Sequence, residues 1–434
     1  MNALRGCSRV ILMAAMIAAA GCRGSEDAAG TWIEREAQAF DDVADLDVLV
    51  SRAEGHRLIL LGEATHGTEE FYRWRRKITQ ELVQRGAVHF IAVEGDWPAI
   101  LELNLWVRGL GEHAGDDAAG RGLVAGLDRW PVWMWSNEQT LKLAEWLRAW
   151  NRDRPPEARV GLYGMDIYSP ERAIASIVSG VSGDFDAAED RDHACLEQAA
   201  ATAGYRQWVG SGRSCEGELD ARIAELESSA GAGDPDEGEP WQRHYLLESL
   251  RNVRQADLHF RASGGAEGWN SRASYFFGLV SRLLAHHGPS SAGVVWAHNT
   301  HIGDARATPM GRAGHVNIGQ MAREALGDEA VFNVGFGTDR GEVVAARGWN
   351  RPMEVMPIES AKAGSLEAWM RDHGPDQFFA LLDDPLPRRL GRAIPHRAVG
   401  VVWDGEDQYV PSDIGARYDA FVWIERTSRL RTLD

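Results

Sequence analysis

Short apolar runs alternate along this chain with longer stretches in which apolar side chains return every third or fourth position. The first run is Arg57–Gly62. Behind it, Phe71, Trp74, Ile78 and Leu82 fall on one helical face. Thr68 is placed to cap that helix, Glu69 and Glu70 occupy its first turn, and Gly86 stops it. Val88–Val93 is apolar almost throughout, as in a strand buried on both faces. The same reasoning predicts strands at Val160–Gly164, Gly293–Ala297, Ala330–Phe336, Ala398–Trp403 and Ala420–Ile424. Strands separated by amphipathic helices predict an α/β fold, with a three-layer α/β/α core around a mainly parallel central sheet.

The alternation stops after Ser169. From there to about Arg282 the pattern is helical, notably over Trp241–His259 and Ser271–His286, with a Gly/Asp/Pro/Glu-rich loop at Gly231–Pro240. The expected organisation is an α/β core over 33–168 and 286–434, interrupted by a helical insertion over 169–285. Before the core, Arg5 and Arg9 precede the apolar run Val10–Ala20, too short for a membrane span. It ends in Ala19-Ala20-Gly21-Cys22, which resembles a bacterial lipobox. Residues 1–21 are therefore expected to be a lipoprotein signal peptide, Cys22 the lipidated residue of a membrane anchor, and 22–32 a polar tether. The alternative is an ordinary secretory leader. Either route exports the chain, and the lipoprotein reading places it in a bacterial cell envelope, facing the periplasm or the cell surface.

Composition narrows the function. The 434 residues carry a formal charge of −18 and no Lys/Arg stripe, so nucleic acid is not an expected partner. A glycine-rich dinucleotide fingerprint and a P-loop are both absent, as is a Gly-x-Ser-x-Gly elbow. Of the four cysteines, Cys7 lies in the leader and Cys22 in the lipobox; Cys195 and Cys215 are expected to pair in an oxidising compartment, or else to be buried thiols.

In parallel sheets, ligands bind beyond the carboxyl ends of the strands. Titratable residues stand at those ends: Glu63 and His66 after the first strand, Glu94 after the second, Asp166 after the third, His298 and His301 after the fourth. Such residues also cap helices, so convergence is an expectation of the fold. Gly62 and Gly67 flank His66 and imply that something approaches the backbone there. Arg75, in the following helix, could face the same site or form an ordinary helix ion pair. Trp97, Trp133 and Trp135 are candidate apolar walls for a substrate, and Asp166 a polar contact.

The blocks Gly62-Glu63-Ala64-Thr65-His66-Gly67, Val93-Glu94-Gly95-Asp96-Trp97-Pro98, Trp133-Met134-Trp135, Gly161-Leu162-Tyr163-Gly164-Met165-Asp166 and Val295–Arg306 together resemble the erythromycin esterase family. Family members often read Glu-Ala-Asp-Trp and His-Asn-Ser-His where this chain has Glu94-Gly95-Asp96-Trp97 and His298-Asn299-Thr300-His301. The resemblance implies an α/β core whose helical insertion forms part of a deep cleft, and hydrolysis of a small-molecule carboxylic ester, in the best-known members the macrolactone of an antibiotic. It places the family's functional set on Glu63, His66, Arg75, Glu94, His298 and His301, with His66 as the base that takes a proton from water and no cofactor. Two other readings stay open. Glu63, His66, Glu94, His298 and His301 could instead hold a divalent metal such as Zn or Mn, or the cleft could bind a ligand without turnover.

Overall fold

The computed structural model describes residues 32–179, 194–202, 204–228, 240–262, 264–383, 386–387, 390–405 and 408–433. The expected leader, Cys22, the tether up to residue 31 and the loop from Gly231 to residue 239 lie outside them. Residues 32–36 are helical.

The strands in chain order are β1 (Gln38–Ala39), β2 (Leu58–Leu61), β3 (Phe90–Asp96), β4 (Gly161–Asp166), β5 (Gly293–Trp296), β6 (Val331–Gly337), β7 (Arg340–Ala346), β8 (Met353–Ile358), β9 (Gln377–Leu381), β10 (Ile394–Arg397), β11 (Tyr409–Ser412), β12 (Ala420–Ile424) and β13 (Arg426–Thr427). Eight of them form one sheet in the order β1-β9-β12-β6-β2-β5-β3-β4. From β12 to β4 every neighbouring pair is parallel; β9 runs antiparallel to β12 and β1. The protein is thus an α/β fold with a mainly parallel central sheet.

Strand pleating explains the layers. Ile59 and Leu61 of β2, Ile91 and Val93 of β3, and Val294 and Trp296 of β5 enter one core with the Glu69–Gln84 and Glu138–Asn151 helices. Their alternates Leu58, Leu60, Phe90, Ala92 and Val295 enter the opposite core, against the Gly265–His286, Ile318–Leu326 and Leu366–His373 helices. Both faces of the central strands are covered, which is why those strands read as unbroken apolar runs.

β5 is the strand that positions the site. Although it follows β4 by more than a hundred residues, it inserts between β2 and β3, so that Leu61 and Val93 both pair with Trp296. The residues after Trp296 therefore emerge between those following Leu61 and those following Val93. The excursion from β4 to β5 is helical throughout its described part, including Pro170–Ser179, Ala194–Ala200, Glu216–Ser228, Pro240–Arg261 and Gly265–His286. It has its own apolar cluster around Ile174, Leu196, Trp208, Leu219 and Val253. Cys195 and Cys215 are disulfide-bonded there, their Cα atoms 5.6 Å apart.

One expected strand is absent. Ala398–Trp403 is not a member of the sheet; it makes only isolated bridges, Thr65↔Val399 and Ala346↔Val402. Its apolar residues are buried because Val399 and Trp403 pack on Val343, Ala345 and Met356 of the β7–β8 hairpin. That hairpin has one polar, exposed strand margin, and its periodicity did not separate it from loop.

The two glycines around His66 have physical explanations. A Cβ on Gly62 would lie 2.1 Å from Asn299 Oδ1, and one on Gly67 would lie 1.9 Å from the Val344 carbonyl oxygen. Gly67→Ala is therefore expected to destabilise the fold by about 1–3 kcal/mol, the usual range for overpacking. Gly122→Ala, in the Gly120–Ala125 helix with open space around its Cβ position, is expected to be neutral or to stabilise by up to about 1 kcal/mol. Denaturant midpoints of the two variants check this; equal midpoints would contradict the packing argument.

Candidate active site

The loop after β2 is stitched down from four directions. Asn299 N–H donates to the Glu63 carbonyl at 2.9 Å, Val399 N–H to Ala64 at 2.8 Å, and Val344 and Leu430 N–H to Gly67 at 3.0 and 2.9 Å. Within this frame Glu63, 1% exposed, divides its carboxylate. Oε1 lies 2.9 Å from His66 Nδ1, and Oε2 accepts from Arg75 Nη2 at 2.6 Å. The Arg75 guanidinium is fully buried, 4.4 Å from the Tyr72 ring centroid and 5.0 Å from that of Trp296. Arg75 thus lies behind Glu63 as its anchor and does not reach solvent; a direct role on a substrate carbonyl does not fit this placement.

Glu94 is the second hub. The β3–β4 register shifts between Val93 and Asp96, and such a bulge re-aims a side chain at a strand end. Its Oε2 accepts the His298 backbone N–H at 2.9 Å, while Oε1 lies 3.0 Å from Arg272 Nη2 and 3.2 Å from His301 Nε2. Asp166 is held by Arg272 through two bonds, at 2.9 and 2.7 Å. Five predicted positions, Glu63, His66, Glu94, His298 and His301, are thus brought together with Asp166 at the carboxyl ends of four adjacent strands.

The two central histidines are electrostatically opposite. Their ring centroids are 4.8 Å apart. For His66, burial opposes protonation, but the hydrogen bond to Glu63 and the charges of Glu94 and Glu63 outweigh it and raise its pKa above the usual histidine value. With Nδ1 turned to Glu63, its Nε2 is the ring position left for chemistry. His298 is pushed the other way: burial, reinforced by His66, holds its pKa well below the usual value in spite of Glu94. The Thr300 N–H donates to His298 Nδ1 at 3.2 Å and the Thr300 hydroxyl lies 2.9 Å from the same nitrogen, an arrangement that suits a neutral ring with its proton on Nε2. That Nε2 is buried and makes no well-formed hydrogen bond, while the Ala64 backbone also acts on the ring. Glu94 itself stays ionised, since His301, His66 and Arg272 overcome its burial and hold its pKa well below the carboxylate range.

Two of the proposed tryptophan walls are elsewhere. Trp97 is in the core, with Nε1–H donating to Ser249 at 3.0 Å and its ring stacked on Tyr163. It opens the apolar Trp97–Val107 helix and turns inward with it. Trp133 is buried against Tyr72, Met134 and Val344. Trp135 alone is part-exposed, and its Nε1–H donates to the Glu94 carbonyl at 2.8 Å. Gly95 permits this approach, because a Cβ there would meet the Trp135 indole at 2.9 Å.

Sequence reasoning missed Arg272, Trp269, Asp96 and Arg129. The Gly265–His286 helix begins a turn and a half before its expected start, and that extra length brings Trp269 to stack on His301 at 4.6 Å, 5° from parallel. Arg272 is in helical register with buried Phe276, Leu279 and Leu283; a cation on an apolar stripe was the available signal. Asp96 is bound by Arg129, by Ser169 Oγ at 2.7 Å and by the Tyr168 N–H at 3.0 Å. Burial and the neighbouring Asp166 raise its pKa, against the pull of Arg129.

A mainly parallel sheet with a carboxylate–histidine pair at its carboxyl edge defines the class as an α/β protein equipped for acid–base chemistry. The erythromycin esterase family model matches residues 83–427, and the chain belongs to that family. Three solved structures are similar in fold: a succinoglycan biosynthesis protein (16% identity, TM-score 0.70, covering 94% of this chain and 98% of that one), a Bacillus cereus protein (18%, 0.74, 94% and 99%), and a mutant of the erythromycin esterase EreC in its open conformation (16%, 0.61, 89% and 94%). Family membership supports a hydrolase that acts on an ester of a small molecule.

The proton affinities are directly measurable. His66 is expected to titrate above the ordinary histidine value of about 6.5, and Glu63→Gln to bring it down. NMR of the ring protons over pH 5–9 reads both; an unchanged His66 titration in the variant would break the assigned pairing.

Proposed function

We propose that this protein hydrolyses a carboxylic ester by direct attack of water, with His66 as general base. The observation that carries the proposal is the buried Arg75–Glu63–His66 chain, with the His298 ring 4.8 Å from that of His66. Water placed between His66 Nε2 and an ester carbonyl gives its proton to His66 as its oxygen adds to the carbonyl carbon. Glu63, locked by Arg75, orients the ring and stabilises the imidazolium. The neutral His298 offers Nε2–H to the oxyanion that develops on the carbonyl oxygen. Collapse of the tetrahedral intermediate expels the alcohol, which takes the proton back from His66 and leaves the acid. Glu94 fixes the His298 backbone, and Arg272 with His301 keeps Glu94 in place.

The metal alternative is less well supported by the donor set. Each oxygen of Glu63 and Glu94 already has a cationic or N–H partner. Among the described residues, no three His, Cys, Asp or Glu side chains are grouped to hold an ion. Erythromycin-type macrolactones are the first substrates to try, and their hydrolysis would make the protein an antibiotic-resistance factor. We further propose export as a lipoprotein anchored through Cys22; the Cys195–Cys215 disulfide fits an oxidising envelope compartment.

His66→Ala is expected to fold normally and lose about 10²–10⁴-fold in ester turnover, the usual scale of general-base catalysis. In the wild type, kcat/KM is expected to rise with pH through a value above about 6.5, because the raised pKa keeps His66 protonated, and so inactive as a base, up to that point. Activity is expected to survive chelation. Undiminished turnover by His66→Ala would remove the mechanism; loss on chelation with metal in the purified protein would favour the metal reading, and ligand binding without any turnover the non-catalytic one. For the anchor, Cys22→Ser is expected to move the protein from the membrane to the soluble fraction of the expressing cell, and an unchanged distribution would refute lipidation.

A further inference from the structure

The β7–β8 hairpin has one face that starts buried and ends in solvent. Val344 pairs with Val355 and Ala346 with Met353 across the antiparallel ladder, so these four side chains share a face. Val344 and Ala346 are covered by Tyr72, Trp133 and Met134, and Tyr72 in turn donates to the His66 carbonyl at 3.3 Å. Val355 and Met353, on the outer strand, are 46% and 47% exposed. At the hairpin tip Trp349 is 68% exposed, the most exposed of the large apolar side chains among the described residues. Its ring lies 5.0 Å from Trp130, whose Nε1–H donates to the Arg351 carbonyl at 2.9 Å and so ties the tip to a second loop.

Both loops belong to the walls of the site. Trp130 follows Arg129, the partner of Asp96 and Asp166, and the same loop carries Trp135 on the Glu94 carbonyl. The hairpin holds the His66 loop through Val344 N–H and Gly67. The half-buried Trp130 and the exposed Trp349, Met353 and Val355 therefore continue the apolar layer behind His66 outward into water. Leaving this much contiguous apolar surface exposed is unfavourable and marks a contact surface. Its continuity with the layer behind the reacting centre favours the substrate as what covers it.

We propose that this strip is a specificity-determining subsite that receives the hydrocarbon part of a large, apolar ester, a proposal that rests on the ester-hydrolase reading. Trp349 and Trp130 supply flat faces for carbon-rich surface, and Val355 and Met353 extend them. The subsite selects by size and apolarity and leaves the carbonyl to His66 and His298.

The test is a chain-length series of p-nitrophenyl esters from acetate to decanoate, run on the full protein, Trp349→Ala, Trp349→Phe and Val355→Ser. The wild type is expected to gain in kcat/KM with chain length. Trp349→Ala is expected to raise KM for decanoate about tenfold with kcat little changed, to leave acetate untouched, and to be largely rescued by Trp349→Phe; Val355→Ser should show a smaller shift in the same direction. Equal effects on acetate and decanoate, no effect on either, or a changed oligomeric state in place of a changed KM would overturn the subsite. Binding of the p-nitroanilide of decanoic acid, read by quenching of tryptophan fluorescence, separates the two readings. Quenching lost in Trp349→Ala without turnover of any ester would sink the hydrolase and keep the subsite; acetate turnover without chain-length dependence would do the reverse.

Discussion

The guanidinium of Arg75 has no contact with water, and this constrains everything around it. A buried cation is tolerated only beside a permanent negative charge; removing one partner of such a pair costs on the order of 3–5 kcal/mol. Arg75 sits between Tyr72 and Trp296 with Glu63 as its anionic partner. Glu63 must therefore stay in place, and its second oxygen is then fixed where His66 Nδ1 meets it. A stability requirement of the core and the orientation of the His66 ring are one interaction. This differs from a surface histidine with a chance carboxylate neighbour, where neither group is held.

The helical excursion uses the same principle from the other side. Arg272 spans Glu94 and Asp166, and Trp269 lies flat on His301. Two residues a helical turn apart thus bind the insertion to the strand ends of the core. The insertion is consequently part of the site, and displacement of its Gly265–His286 helix would release Glu94 and with it the His298 backbone.

Much of this was legible in the sequence because its signals are local. Strand pleating produced the apolar runs of β2, β3 and β5, and their carboxyl ends announced Glu63, His66, Glu94, Asp166, His298 and His301. Gly62 and Gly67 announced close approach, though not that Asn299 and Val344 make it. What failed depended on tertiary context. The Ala398–Trp403 run has strand composition, but its ladder positions are taken up by the His66 loop and the end of β7. Trp97 and Trp133 are as aromatic as Trp135, and only the direction of the helix and loop that carry them decides which is buried. Arg272 looked like any helix arginine until its partners arrived from β3 and β4.

The loop bearing His66 is fastened by backbone donors at Asn299, Val344, Val399 and Leu430, all in the last third of the chain. During synthesis β2 and the histidine that follows it emerge early, but the residues that shape their loop come last. Contacts of such long sequence separation also form slowly. The Glu63–His66 corner is therefore the final part of the molecule to be completed, and a nascent or C-terminally clipped chain holds both residues without the frame that sets their geometry. That order of assembly leaves the Glu63–His66 pair without its frame until the whole polypeptide has been made.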